Sequence, residues 1–219
     1  LQGVKMSVDY QNKDIVIHKV KCGPYDNNAY LIRCLKTNES ILVDTPGEPA
    51  QLIETALQTN VKYILITHNH FDHLAGFTEI TSKIKAPVGI GEADADALPT
   101  KPDIILRDGE DVPFGNNLSI KLISTPGHTS GSTCLRIGDR LFTGDTLFPG
   151  GPGKTDSPQA LYEIIQSITS KLFVLGNKIT FYPGHGDNGQ LDISKDEYHV
   201  YSSKEHSESL YGDVLWLGN

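Results

Sequence analysis

Thr67-His68-Asn69-His70-Phe71-Asp72-His73 is the stretch that decides how this chain reads. It follows Tyr63-Ile64-Leu65-Ile66, a short apolar run expected to form a buried strand. Four side chains of metal-ligand type then fall within six residues. An accidental H-x-H-x-D-H is expected on the order of once in a thousand chains of this His and Asp content. His68 and His70, two apart on extended backbone, project to the same side. Asp72 and His73 sit where the chain has to turn away. One pair can hold one metal and the next pair another. Imidazole and carboxylate suit zinc, iron or manganese, and without thiolates near the cluster an open site is favoured over a closed structural zinc site.

Two ligand pairs do not complete two metal sites, so partners are sought at other strand ends, beside glycines that permit close approach. Three qualify: His128 in Thr125-Pro126-Gly127-His128-Thr129, Asp145 in Thr143-Gly144-Asp145-Thr146, and His185 in Pro183-Gly184-His185-Gly186. Five of the eight histidines would then converge. His18, His199 and His206 lack such a setting.

Outward from the motif, the N-terminal side reads as a meander of strands at Ile15 to Lys21, Ala29 to Leu35 and Ser40 to Val43, separated by turn-like segments. Leu52, Ile53, Ala56 and Leu57 share one helical stripe before the Tyr63 to Ile66 strand, which suggests a crossover unit. On the C-terminal side a helix is expected from Gly76 to Ile84. Strands follow at Pro87 to Ile90, Ile104 to Leu106, Leu118 to Ile123, Ser132 to Ile137 and Arg140 to Thr143. Ser157-Pro158 is a cap followed by a first-turn proline, and Leu161, Ile164, Ile165, Ile168 and Leu172 repeat with helical period. A last strand, Lys178 to Tyr182, precedes a polar, partly helical tail. Sheets with helices outside them are the α/β architecture this order implies, because both sheet faces need apolar cover.

The chain has 219 residues, 38% hydrophobic and 21% charged, and is read as one domain over residues 1–219. Residues 1–5 precede the single methionine, Met6, and are read as a vector or processing remnant. With 19 basic and 27 acidic residues the net charge is −8, and no basic run concentrates phosphate contacts, so nucleic acid is not expected as a partner. The absence of a long apolar stretch argues against a membrane partner, and a cytoplasmic location is expected. Cys22, Cys34 and Cys134 have unrelated spacings and read as buried free thiols.

From Asp44 to His185, roughly two thirds of the chain, the order and spacing of these motifs resemble the metallo-β-lactamase superfamily. The resemblance implies an αββα sandwich of two mixed β-sheets with helices on the outer faces and a metal site at one edge. It implies two divalent metal ions, with zinc expected and iron or manganese as alternatives. His68, His70 and His128 would bind the first; Asp72, His73 and His185 the second; Asp145 would bridge them. Asp44, in Val43-Asp44-Thr45-Pro46-Gly47, would support the ligands without itself ligating. Two cations carry +4, against −2 from Asp72 and Asp145 and −1 from a hydroxide, leaving about +1 to attract a carbonyl oxygen. A metal-activated hydroxide would be the nucleophile, with Asp72 as the catalytic carboxylate that orients its proton.

Asp145, where the β-lactamases themselves have a cysteine or serine, looks more like the glyoxalase II (hydroxyacylglutathione hydrolase) branch, which cleaves thioesters. Lys154 matches a basic residue that binds the glutathione carboxylate there. The resemblance departs in two places. Only 34 residues follow His185, too few for the glutathione-binding helical C-terminal domain, and Asp156 stands where a glutathione-binding tyrosine usually sits. Lys154-Thr155-Asp156 is similar to short glyoxalase II-like hydrolases and to persulfide dioxygenases, which bind one iron through the equivalents of His68, His128 and Asp145. The expectation is a dinuclear metal hydrolase acting on a small thioester or ester. The alternatives are a mononuclear iron persulfide dioxygenase, a lactonase or β-lactamase-type hydrolase, and a non-catalytic metal-binding module. Tyr25, Asn27, Asn28, the Pro149 to Gly153 loop and Tyr182 are candidate pocket residues.

Overall fold

A computed structural model describes residues 8–218; the expected processing remnant, residues 1–5, lies outside the described residues. The first half of the chain supplies β1 (Val8–Gln11), β2 (Ile15–Cys22), β3 (Asn27–Cys34), β4 (Glu39–Val43), α1 (Ala50–Ala56), β5 (Asn60–Leu65), α2 (Phe71–Leu74), α3 (Phe77–Lys83), β6 (Val88–Gly91) and β7 (Ile104–Leu106). Its strands form a sheet in chain order, antiparallel from β1 to β4 and parallel from β4 to β7. Antiparallel neighbours are joined by tight turns, and parallel ones need a crossover, which α1 provides between β4 and β5.

The second half supplies β8 (Asp111–Phe114), β9 (Leu118–Ser124), β10 (Thr133–Ile137), β11 (Arg140–Gly144), β12 (Leu147–Phe148), β13 (Gly151–Pro152), α4 (Pro158–Ser167), β14 (Thr180–Pro183), β15 (Gly189–Gln190) and α5 (Leu191–Ser202). Its main sheet runs β15-β14-β11-β10-β9-β8, with β11 and β14 parallel across the α4 crossover and the other pairs antiparallel. Both sheets are thus mixed or carry a parallel pair, as expected.

The period of two along the strands builds the layers. Tyr30, Ile32, Ile41, Val43 and Leu65 face Ile120, Leu122, Leu135, Phe142 and Tyr182 between the sheets. The alternate residues Leu31, Leu42, Ile64 and Ile66 pack outward with Leu52, Ile53, Phe77 and Ile80 of the first pair of outer helices. Cys134, Leu141 and Phe181 pack outward with Leu161, Ile164, Ile168 and Leu191 of the second pair. The result is an αββα sandwich.

Several local expectations need correction. α3 is the helix expected from Gly76 to Ile84, the two residues that cap it; what the sequence reading lacked is α2, a single turn that begins inside the motif. Gly76 lies between the two helices because a Cβ there would collide with the Pro46 carbonyl. Leu57 ends α1 at 61% exposure instead of joining its buried stripe. Ser157 caps α4 by accepting from the Ala160 N–H at 3.1 Å, but the helix widens to a π turn at Ile168–Leu172. The buried stripe of Leu161, Ile164, Ile168 and Leu172 continues through that change of winding. β1 and β8, absent from the sequence reading, are edge strands of four residues each, β1 without a buried residue and β8 with only Val112 and Phe114 buried. The three cysteines are free and buried. Among the described residues no helix is long and apolar enough to cross a membrane.

Candidate metal centre

The parallel pairs bring strand ends together. Asp44 and His68 follow the neighbouring C-terminal ends of β4 and β5, and Asp145 and His185 follow those of β11 and β14. The loop after β9 carries His128. Thr133 N–H donates to the Thr67 carbonyl at 2.9 Å and Asn28 N–H to the Gly184 carbonyl at 2.7 Å, joining the two sheets at this edge.

All seven histidines and aspartates of the expected ligand set lie here. Candidate ligand atoms of His68, His70 and His128 fall within 4.8 Å of one another, as do those of Asp72, His73 and His185 and those of His68, His73 and Asp145. Asp145 stands between the two outer groups: Oδ1 is 3.4 Å from His73 Nε2, and Oδ2 is 3.6 Å from both His128 Nε2 and His185 Nε2.

Hydrogen bonds on the far side of four rings set which nitrogen faces inward. His128 Nδ1 donates to the Lys154 carbonyl at 2.7 Å and His185 Nδ1 to the Tyr25 carbonyl at 2.9 Å, because a carbonyl can only accept. His73 Nδ1 donates to Asp44 Oδ2 at 2.9 Å. Thr67 Oγ1 gives its one proton to the Asp44 carboxylate, so it accepts from His68 Nδ1 at 3.0 Å. When neutral, all four imidazoles therefore aim an Nε2 lone pair into the centre, which is how ligating histidines are held.

The donor set fits a divalent metal. His68 Nε2, His128 Nε2 and Asp145 Oδ1 are buried with no hydrogen-bond partner, a costly arrangement unless something else binds them. Gly184 leaves the space open: a Cβ there would collide with Asp145 Oδ1 and His73.

Charge coupling follows the same geometry. Burial pushes His68 well below the usual histidine range, aided by repulsion from His73 and His128. Burial acts the same way on His73, but Asp44 and Asp145 outweigh it and hold the ring well above that range. Burial would raise the Asp145 carboxyl, yet His73, His128 and His185 bring it below the ordinary carboxylate value. Asp72 is likewise lowered against its burial by the His185 hydrogen bond, the His73 charge and the Asn27 side chain. The shifts thus divide the cluster: His73 and the carboxylates are biased toward their charged forms and His68 toward the neutral imidazole.

Asp44 supports this network from outside. Its backbone, at φ 62°, lies in the left-handed region, which is uncommon for a side-chain-bearing residue. The turn aims its carboxylate at the Thr67 N–H, 2.7 Å away, and at His73.

Two contributors went unread in the sequence. Asp94, 2% exposed in the 3₁₀ turn Glu92–Ala97, accepts from Asn69 N–H at 3.0 Å, Thr129 Oγ1 at 2.6 Å and Gly131 N–H at 2.9 Å. It ties the His68–His70 loop to the His128 loop. Asn27, named above only as a pocket neighbour, donates from Nδ2 to Asp72 Oδ2 at 2.7 Å.

A cavity of about 320 Å³ opens beside the centre, lined by His128, Asp145, His185, Phe148, Lys154 and Leu215 among others. Four residues of the Pro149 to Gly153 loop line it as expected. Two pocket expectations are corrected. Tyr182 is 2% exposed and stacks on Phe142 between the sheets, and Asn28 is buried with its amide on the Pro183 and Gly186 carbonyls. The Tyr25 side chain is 58% exposed, and its backbone carbonyl holds His185. His206 stacks on Tyr201 and His199 lies on α5, both apart from the cluster.

Residues 22–200 match the family profile described as the Metallo-beta-lactamase superfamily. A hydroxyacylglutathione hydrolase of Pelagibacter ubique (strain HTCC1062) is 35% identical over 179 residues, 78% of this chain and 73% of that protein. The probable polyketide biosynthesis zinc-dependent hydrolase PksB of Bacillus subtilis (strain 168) is 29% identical over 216 residues, 88% of this chain and 94% of that protein. Among solved structures, ETHE1 from Myxococcus xanthus aligns with a TM-score of 0.73 at 26% identity, covering 86% of this chain and 85% of that one. With a match that spans most of its length and converging His and Asp side chains at the sheet edge, this chain belongs to the metallo-β-lactamase superfamily and is similar to its hydroxyacylglutathione hydrolases.

Proposed function

We propose that this protein is a dinuclear metal hydrolase that cleaves a thioester or related small ester. The observation that carries the reading is the convergence of three buried, unpartnered ligand atoms, His68 Nε2, His128 Nε2 and Asp145 Oδ1, beside an open cavity. His68, His70 and His128 would hold one ion, Asp72, His73 and His185 a second, and Asp145, in reach of both groups, would bridge them. Divalent ions held there would supply Lewis acidity toward a substrate carbonyl and would lower the pKa of water to around 7. Zinc accords with the donor set and with the zinc-dependent relative.

The chain's own groups do the rest. Asp72, pinned by Asn27 and by His185 Nε2 at 3.1 Å, presents a carboxylate that orients the proton of the attacking water. The fixed Nδ1 hydrogen bonds of His68, His73, His128 and His185 keep the ligand atoms in place with little reorganisation. Lys154, exposed at the cavity, would contact the bound substrate. Across the reaction the acyl carbon gains the water oxygen, the C–S bond breaks, and the thiol leaves with a proton.

Elemental analysis of the purified protein, read with its activity on S-lactoylglutathione and a thioester panel, tests this. Two equivalents of zinc with thioester cleavage are expected. One equivalent of iron with oxygen uptake on glutathione persulfide would overturn it in favour of a dioxygenase. Bound metal without activity on any substrate would leave a metal-binding module.

A further inference from the structure

Asp213, Val214 and Leu215 form a wall of the cavity that His128, Asp145 and His185 share. Burial alternates along this segment. Val214 and Trp216 are 6% and 1% exposed, whereas Asp213, Leu215 and Leu217 face outward.

The inward residues anchor it. The Trp216 ring lies 4.9 Å from Tyr201 and 5.2 Å from Tyr198, and the Trp216 backbone N–H donates to the Gly150 carbonyl at 2.7 Å. Thr155 N–H donates to the Gly212 carbonyl, and Gly212 N–H to Thr155 Oγ1, both at 3.2 Å. Gly151 has no Cβ to collide with the Val214 carbonyl. Leu215, 60% exposed, is therefore an apolar side chain presented to the cavity on a fixed backbone, alongside Phe148, Pro149 and Pro152. Such preorganised apolar surface beside a few polar groups is what a small-molecule site offers.

Charge narrows the ligand further. Lys154 shares the cavity lining with the exposed carboxylate of Asp213, and exposed Asp156 follows Lys154 two residues on. A group bearing several carboxylates meets like charge here.

Resting on the thioester reading above, we infer that the Asp213–Leu215 wall selects thioesters with an apolar acyl chain on a neutral thiol over those of an anionic thiol such as glutathione. Truncating exposed Leu215 removes little packing, so its variants should fold.

The test compares kcat/KM of the metal-loaded full chain on octanoyl- and acetyl-N-acetylcysteamine and on S-lactoylglutathione. The octanoyl ester is expected to be the best substrate. L215S should lower the octanoyl-to-acetyl ratio roughly tenfold, mainly through KM, while L215M retains it. D213N should raise kcat/KM on the glutathione ester several-fold. A non-hydrolysable octanoyl thioether should bind with a negative heat-capacity change that L215S reduces. A wild-type preference for S-lactoylglutathione, or a ratio indifferent to L215S, overturns the inference while leaving thioester hydrolysis standing. Failure to cleave any of the three sinks the thioester reading and the inference with it.

Discussion

Asp44 Oδ2 lies 2.9 Å from His73 Nδ1, with the two side chains 2% and 0% exposed. The same carboxylate accepts from the Thr67 backbone and hydroxyl, so one residue fixes the orientation of His73 and the start of the ligand loop. Asp44→Asn keeps the volume but replaces one acceptor oxygen with a donor that faces the Thr67 and His73 donors. Metal affinity is expected to fall about 10- to 100-fold, and stability by about 1–3 kcal/mol from unpaired buried groups. Chelator competition and urea unfolding of the variant measure the two; unchanged metal affinity would remove Asp44 from its supporting role.

Asp94 makes the equivalent prediction for the other side of the centre. Its carboxylate holds Asn69, Thr129 and Gly131, which flank His68, His70 and His128. Asp94→Ala should cost roughly 2–3 kcal/mol, as loss of charged hydrogen bonds does. It should also loosen metal at the first group more than at the second. Sequential metal titration followed by calorimetric unfolding checks this, and equal loss at both groups would count against the assignment.

The pH dependence follows from His73. Its raised value, through Asp44 and Asp145, favours the protonated ring in the metal-free protein. Metal must displace that proton, so binding should release protons and weaken as pH falls. In the metal-free protein the His73 contribution to stability is full below its unfolded value of about 6.5 and is lost as pH rises through the raised folded value. Asp72 and Asp145 act oppositely: their lowered values contribute above about 3.9 and are lost as pH falls through the folded values. Calorimetric metal titration in buffers of different ionisation enthalpy reads the proton count. A heat independent of the buffer would overturn this account.

The convergence of the seven His and Asp side chains was legible because each is a residue type with few structural uses, placed at a strand end beside glycine or inside a dense motif. The strands flanking the site were legible from alternation: Ile41 and Val43 face one core while Leu42 faces the other. Asp94 was not. Its three partners lie 25, 35 and 37 residues away, and nothing local marks an acidic residue in Glu92-Ala93-Asp94-Ala95-Asp96 as buried. The Asp213–Leu215 wall was hidden for a similar reason, since its alternation spans too few residues to show a period and gains meaning only against Gly150 and Gly151. Tyr182 misled because its place beside Pro183-Gly184-His185 suggested the pocket, whereas strand alternation turns its ring between the sheets.

Gly184 offers the sharpest test of whether the centre is built around a ligand. It sits between His185 and β14, and its N–H donates to the Gly144 carbonyl at 2.9 Å, which locks it against the strand that leads to Asp145. A Cβ added there would occupy the space of Asp145 Oδ1 and the His73 ring. Because Asp44 fixes the His73 ring, Gly184→Ala must push the Asp145 carboxylate aside. Overpacking of this kind costs about 1–3 kcal/mol, and the displaced Asp145 can no longer serve both outer groups. The expected outcome is a folded protein with near-native circular dichroism, reduced metal stoichiometry and a loss of hydrolysis of at least about tenfold, since misplacing such groups by about 1 Å is enough. Full metal content and activity in Gly184→Ala would mean that Asp145 does not bridge the two groups of histidines.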